Sequence, residues 1–274
     1  MEPFLRTHRH PDLSLQDPFD VAVVIPTVLR PGLVAALRSV LAQHAPDRIQ
    51  VLVGIDHPGE DPHPVREAVS ALCAELPPRV AVQLLHPGYS TSVRHGGLVA
   101  ARDGGALRTV LTHLANSRHV AYLDDDNAWT PDHLSTLLAA LHAGIPGTIP
   151  GTSGGADWAW SLRWFTDPDT ARPLAVDRWE SVGPGAGEFA ARFGGFCDPN
   201  TLLIDRERCR EAIVAWTTPL PDDPDGMSAD RMVFDRLRSL RGVATGRPTA
   251  LYRLNPADGR HSIRMRQLAA TAAS

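Results

Sequence analysis

A continuous apolar, β-branched run from Val21 to Ile25, closed by Pro26, opens the ordered pattern of the chain. Such a run lacks polar alternation and reads as a strand covered on both faces, as in a parallel sheet. Leu33, Leu37, Val40 and Leu41 then recur at helical spacing behind Pro31, which predicts a helix from about Pro31 to Gln43. The alternation repeats with a strand over Ile49–Ile55 that ends at Asp56, a helix over Val65–Leu76 and a strand over Arg79–Leu85. This β-α-β-α-β rhythm predicts a parallel sheet with right-handed crossovers, whose ligands lie at the carboxyl ends of the strands. Pro26, Thr27 and Asp56 stand at such ends.

His86 to Gly105 is a long glycine-containing stretch with Arg94, Arg102 and Asp103, ahead of a helix over Ala106–Ala115. A short strand over His119–Leu123 leads into Asp124-Asp125-Asp126-Asn127, and Thr130-Pro131 predicts the capped start of a helix running to about Ala143. The rhythm then breaks into glycines and tryptophans at 158, 160, 164 and 179. Later signals give a strand over Leu202–Ile204, a helix over Arg206–Trp216, a helix over Ser228–Leu240 with Ser228 as its cap, and a strand over Thr249–Leu254. The piece from Arg260 to Thr271 is basic and partly helical in pattern, and residues 1–19, polar and proline-punctuated, read as an extended arm before the first element.

Composition narrows the chemistry. The 274 residues, 43% hydrophobic and 21% charged, suit a globular chain. A formal charge of -4 gives no basic field for nucleic acid or an anionic membrane. All 27 cationic residues are arginine, so Schiff-base chemistry and a P-loop lysine are excluded, and any phosphate must be held by Arg, backbone N–H groups or a metal. The cysteines, Cys73, Cys197 and Cys209, are too few for a disulfide framework. No apolar run approaches the roughly 18–20 residues of a membrane span, and MEPFLRTHRHPDLSLQDPF lacks a signal-peptide core, so a soluble, cytoplasmic protein is expected.

Three adjacent carboxylates after a buried strand repel one another unless a cation intervenes, and Mg²⁺ or Mn²⁺ takes one or two carboxylates together with diphosphate and water oxygens. A solvated acidic turn ahead of the Thr130 cap is the bland alternative. Taken together, VAVVIPTVLRPGLVAALRSVLAQ, VLVGID and AYLDDDNAWTPDHL resemble the family 2 glycosyltransferases of the GT-A fold, over about residues 20–265. The resemblance implies an α/β, Rossmann-like, mostly parallel sheet flanked by helices. It implies a single domain over 20–265, with a nucleotide-sugar-binding half at about 20–130, an acceptor-binding half at about 131–265 and a tail at 266–274. The implied activity is metal-dependent transfer of a sugar, with inversion, from a nucleotide diphosphate donor to a hydroxyl acceptor, and a uridine diphosphate donor is the commonest case.

Residue by residue, the resemblance places Pro26, Thr27, Arg30 and Asp56 in the nucleotide pocket, with Asp56 accepting from the base. Asp124 and Asp125 fall near the ribose and diphosphate, Asp126 at the metal (Mn²⁺ or Mg²⁺), and either Arg102 or Arg108 at the diphosphate. GMSADRMVFDRL offers Asp230 as the base that takes the acceptor proton, although Ala229 stands where the family often has Glu. The first turn of a helix also favours a carboxylate at Asp230 without any catalytic role. Asp222, Asp223 and Asp225 are fallback candidates or turn residues. GGFCDPNTLLIDRERC offers Asp198 and Asn200 on the acceptor side, or as turn caps. Trp158, Trp160 and Trp164 share one face of a strand and stack on a sugar or fill the core, and His261 is a second metal ligand or a packing residue. The acceptor, whether carbohydrate, lipid or small molecule, and the oligomeric state are open. A haloacid-dehalogenase phosphatase is excluded by Ala128 and the missing lysine, and a nucleotidyltransferase by PTVLRPG after the first strand. A non-catalytic GT-A-like domain that binds a nucleotide sugar stays as the alternative.

Overall fold

The computed structural model describes residues 1–57, 62–102, 104–143, 155–223 and 228–272. Its centre is the parallel block expected from the sequence: β2 (Phe19–Thr27) lies between β3 (Ile49–Ile55) and β5 (Ser117–Tyr122), and β4 (Val80–His86) follows β3. Residues 1–19 are not a free arm, because β1 (Phe4–Arg9) pairs antiparallel with β4 from Phe4↔His86 to Arg9↔Ala81. Short β6 (Ala128–Trp129), β7 (Trp158–Thr166), β8 (Pro173–Val176), β11 (Leu202–Asp205) and β12 (Gly242–Arg253) complete a ten-stranded sheet in the order β1-β4-β3-β2-β5-β11-β7-β12-β6, with β8 beside β7. A small ribbon pairs β9 (Gly183–Pro184) with β10 (Gly195–Phe196).

Alternate residues of β2 explain its unbroken apolar run. Val21, Val23 and Ile25 pack into a core under α1 (Gly32–Leu41), α2 (His63–Ala74) and α4 (His133–Ala143), while Ala22 and Val24 face a second core under α3 (Gly105–Leu114), α6 (Arg210–Ala215) and α7 (Ala229–Leu237). Each fully buried Val, Leu or Ile contributes about 1.5–3 kcal/mol, so both faces need their helices. Short α5 (Ala190–Phe193) and the terminal α8 (His261–Ala272) flank the second half.

Several local expectations change. Trp158 is fully buried in the second core, stacked on Trp160 at 4.7 Å and edge-on to Phe234 of α7 at 6.4 Å, so it is packing and not an acceptor platform. Ser228 does not cap α7 through its side chain: its hydroxyl accepts from the Leu220 amide at 3.0 Å. The Thr130 hydroxyl likewise turns to Asp132, at 2.6 Å. The helix expected over Arg206–Trp216 is shorter, because Asp205 Oδ1 accepts from the Glu207 and Arg208 amides and holds a turn there.

His133 of α4 is sealed against Trp129, ring centroids 4.3 Å apart, and shares a 2.8 Å hydrogen bond with the Thr249 hydroxyl. Burial pushes its pKa down to about 3, so the folded protein keeps the ring neutral while the unfolded chain protonates near 6.5. Stability is therefore lost as pH falls from about 6.5 toward 3, by up to about 1.4 kcal/mol per pH unit from this group. Urea unfolding at pH 7.0 and 4.5 should show a smaller acid-induced loss in His133→Gln than in the parent chain; equal losses would refute this account.

Candidate active site

The site forms where β2, β3 and β5 end. Leu123 closes onto β2 through its amide to the Val24 carbonyl at 3.0 Å, and the next three residues are the aspartates. Their side chains face different surroundings. Asp125 is fully buried: it accepts from the Thr27 hydroxyl at 2.5 Å and pairs with Arg30 at 2.6 Å. Thr27 also receives the Leu29 amide at 2.8 Å, in a loop tight enough to hold Leu29 at φ 62. Gly32 is required beside this loop, because a Cβ there would meet the Asp125 carbonyl oxygen at 2.5 Å.

Asp124 is held from two sides. Arg108 of α3 pairs with one carboxylate oxygen, and Asn200 Nδ2 donates to the other at 2.8 Å, while Asn200 Oδ1 accepts the Asp124 amide at 2.7 Å. Asp126 is the open member: its side chain is 42% exposed and its ion pair among the described residues is with Arg30 at 3.2 Å. Local burial, then Asp124 and Asp125, push its pKa up to about 6, against the lowering effect of Arg30.

Behind Asp124 runs a buried chain of charges that sequence reading missed. Asn200 donates to Asp198 at 2.6 Å, and Asp198 accepts from Arg163 of β7 at 2.5 Å. The guanidinium of Arg163 also binds Asp177 at 2.8 Å and Glu180 at 2.7 Å, which gives it three carboxylates. Glu180 in turn accepts from Arg260 at 2.9 Å and from Arg264 of α8 at 3.0 Å. Asp198 and Asn200 are thus supports behind Asp124, both buried, and neither presents its carboxylate or amide to an acceptor. The clue was Arg163 itself, a lone charge inside the apolar strand WAWSLRWFT, which folding tolerates only with partners.

Asp56 is buried at the end of β3, with its carboxylate taken up by the Ser90 hydroxyl, the Thr91 amide and the Thr91 hydroxyl, each at 2.7 Å. It pins Ser90 and Thr91, in the stretch after β4, to the end of β3. Pro26 packs against Gly104, where a Cβ would come within 2.6 Å of the proline ring. Arg102 precedes α3 with a buried Nε that makes no hydrogen bond. Asp103 and Asp225 lie outside the described residues, while Asp222 pairs with Arg192 at 3.5 Å and Asp223 accepts the Ser228 amide at 2.7 Å.

Asp230, in the first turn of α7, is half-buried, and desolvation raises its pKa above the usual carboxylate range against the nearby positive charges of Arg231 and Arg108. Arg108 pairs with Asp124, and its charge also acts on Asp230. His261 opens α8, and its Nδ1 is buried without a hydrogen bond. Among the described residues no three His, Cys, Asp or Glu side chains are gathered to hold a metal. The carboxylates suit Mg²⁺ or Mn²⁺: Asp126, the open one, would supply one ligand and leave the remaining positions to substrate and water oxygens.

No family model matches the chain. The succinoglycan biosynthesis protein ExoW of Rhizobium meliloti (strain 1021) is 38% identical over 124 residues, which cover 44% of this chain and 34% of that protein. The chain thus matches about a third of the length of this curated relative. TarS 1-349 of S. aureus superposes with a TM-score of 0.56 at 14% identity, over 92% of this chain and 64% of the other. Related TarS structures contain UDP or UDP-GlcNAc. The mannosyltransferase PcManGT from Pyrobaculum calidifontis, solved with GDP-Man and Mn²⁺, superposes with a TM-score of 0.55 at 14% identity, over 96% and 68% of the two chains. The fold is that of the GT-A glycosyltransferases, as the strand order and the sequence pattern led one to expect. Among the described residues no helix is long and apolar enough to cross a membrane.

Proposed function

We propose that the chain is a metal-dependent, inverting glycosyltransferase of family 2 that takes its sugar from a nucleotide diphosphate, most simply a UDP-sugar. The observation that carries the reading is the aspartate tip at the strand ends: Asp125 and Asp124 are spent on positioning, and Asp126 is left open beside Arg30. The match to ExoW, and neighbours solved with nucleotide sugars, support the donor class.

In this reading Asp126 would hold the divalent cation, whose positive charge would stabilise a departing diphosphate. Arg30, with either Arg102 or Arg108, supplies further positive charge to that diphosphate, and Arg108 also holds Asp124. The acceptor hydroxyl oxygen attacks the anomeric carbon from the face opposite the diphosphate. A new carbon–oxygen bond forms as the bond to the phosphate oxygen breaks, the electron pair leaves on the diphosphate, and the acceptor proton passes to Asp230. A raised carboxyl pKa suits that base, since proton transfer works best when the pKa approaches the working pH. Ala229 favours the second reading, a domain that binds the nucleotide sugar without turnover.

Thermal unfolding with UDP, GDP, ADP and CDP, each with and without Mn²⁺, tests the proposal. One nucleotide at 100 times its Kd should add about 2.7 kcal/mol. That gain should depend on Mn²⁺ and fall away in Asp126→Ala. No nucleotide-dependent shift on folded protein would overturn the proposal.

A further inference from the structure

Arg231 follows the candidate base directly in α7, and its surroundings are unusual for a cation. Its guanidinium carbon lies 3.4 Å from the ring centroid of Phe196 and 4.2 Å from that of Phe189, with Phe193 at 5.4 Å. Nη1 is sealed from solvent and makes no hydrogen bond, and the side chain forms no ion pair among the described residues. Arg108 and Arg163, by contrast, each hold carboxylates. The nearby carboxylates do not fill the gap: Asp198 and Glu180 are taken by Arg163, and Asp230 makes no side-chain-to-side-chain hydrogen bond or ion pair with Arg231 among the described residues. Aromatic faces attract the charge of Arg231 but leave Nη1 unmet.

A guanidinium fork beside a base, backed by half-buried Phe189 and Phe193, matches one class of ligand. Carboxylate and phosphate oxygens accept two N–H bonds from Arg, and phenyl rings pack against the C–H face of a sugar. In the proposed reading Arg30, paired with Asp125 and Asp126, serves the donor diphosphate at the aspartate tip, whereas Arg231 shares its helix turn with Asp230. We propose that Arg231 recognises an oxyanion on the acceptor, a carboxylate or phosphate substituent near the attacking hydroxyl, so that the acceptor is an acidic sugar. The inference rests on the reading of Asp230 as the base that faces the acceptor. Neutral sugars would leave the guanidinium unpaired and bind less well.

The test uses the full chain with UDP and Mn²⁺ present. The probes are the methyl glycosides of glucose, galactose and mannose, their uronates and their 6-phosphates, with binding read by ligand-observed NMR titration. At least one charged member should bind ten times or more tightly than its neutral parent. That preference should disappear in Arg231→Gln, fall partway in Arg231→Lys, and persist in Asp230→Asn. Loss of turnover is the readout for the base, so the two readings fail separately. Equal binding of charged and neutral probes, no binding of any charged probe, or a preference that survives Arg231→Gln overturns the proposal. So does a drop in UDP affinity in Arg231→Gln with acceptor preference unchanged, since that result assigns the residue to the donor. Thermal unfolding of both variants separates loss of recognition from loss of fold, and Arg231→Lys keeps the charge if the glutamine variant is unstable.

Discussion

Asp230→Asn should lower kcat for sugar transfer by about 10²–10⁴-fold, the usual contribution of a positioned base, while the thermal shift with nucleotide and Mn²⁺ stays intact. The substitution removes proton acceptance and keeps shape, so donor binding at the aspartate tip has no reason to change. Stability supplies a second readout with a definite sign. Because burial raises the folded pKa of Asp230, ionising it opposes folding at neutral pH, and that penalty fades as pH falls through the folded pKa toward the ordinary value of about 3.9. The asparagine variant should therefore melt higher than the parent at pH 7, by about 2–4 °C for each kcal/mol regained, and no higher near pH 4. Turnover within a few-fold of the parent would remove Asp230 from the mechanism. A joint loss of turnover and nucleotide response would instead make it a donor-site residue.

Arg163→Met should be the most destabilising single change described here. The side chain is buried and holds Asp177, Glu180 and Asp198 at 2.5–2.8 Å, and burying a charge is tolerable only with such partners. Deleting the cation leaves buried carboxylates uncompensated, which costs about 3–5 kcal/mol, or a fall in Tm of roughly 6–20 °C for a chain of this size. Arg163 draws the Asp177 and Glu180 pKa values below their ordinary range, so their stabilising contribution is present above about pH 4 and lost as pH falls through the folded values. The deficit of the methionine variant should accordingly narrow in acid. Arg163→Lys should recover part of the loss, because one ammonium cannot bond three carboxylates in the plane of a guanidinium. Denaturant titration at pH 7 and pH 4.5 measures both; a loss under about 1 kcal/mol at pH 7 would show that the cluster is not cooperative.

The first half of the chain was legible because its signals are local. A β-branched run, a proline and a helical apolar stripe fix β2, α1 and β3 without knowledge of anything distant, and the aspartates follow β5 in sequence as in space. The roles inside that tip were not legible. Which carboxylate stays open depends on Thr27, Arg30, Arg108 and Asn200, and Asn200 lies 76 residues beyond Asp124. Asp56 at the end of β3 is legible as a strand-end carboxylate, but its bonds to Ser90 and Thr91 are not, because no periodicity announces the backbone path of those residues. Trp158 illustrates the same limit. Its even spacing with Trp160 and Trp164 correctly suggests a strand, but which face of β7 is covered depends on α7, about seventy residues later in the chain.

β1 gives the amino-terminal segment a different standing from the one its composition suggests. By pairing with β4 over Phe4–Arg9 it occupies the row of amide and carbonyl groups that would otherwise border the parallel block. Unpaired strand borders recruit other chains, and a short terminal strand rich in charge, with Arg6 and Arg9 on it, is one of the ways proteins discourage such recruitment. A stretch that looks dispensable thus works as the sheet's own selvedge, finishing the fabric where a bare edge would ravel into aggregation.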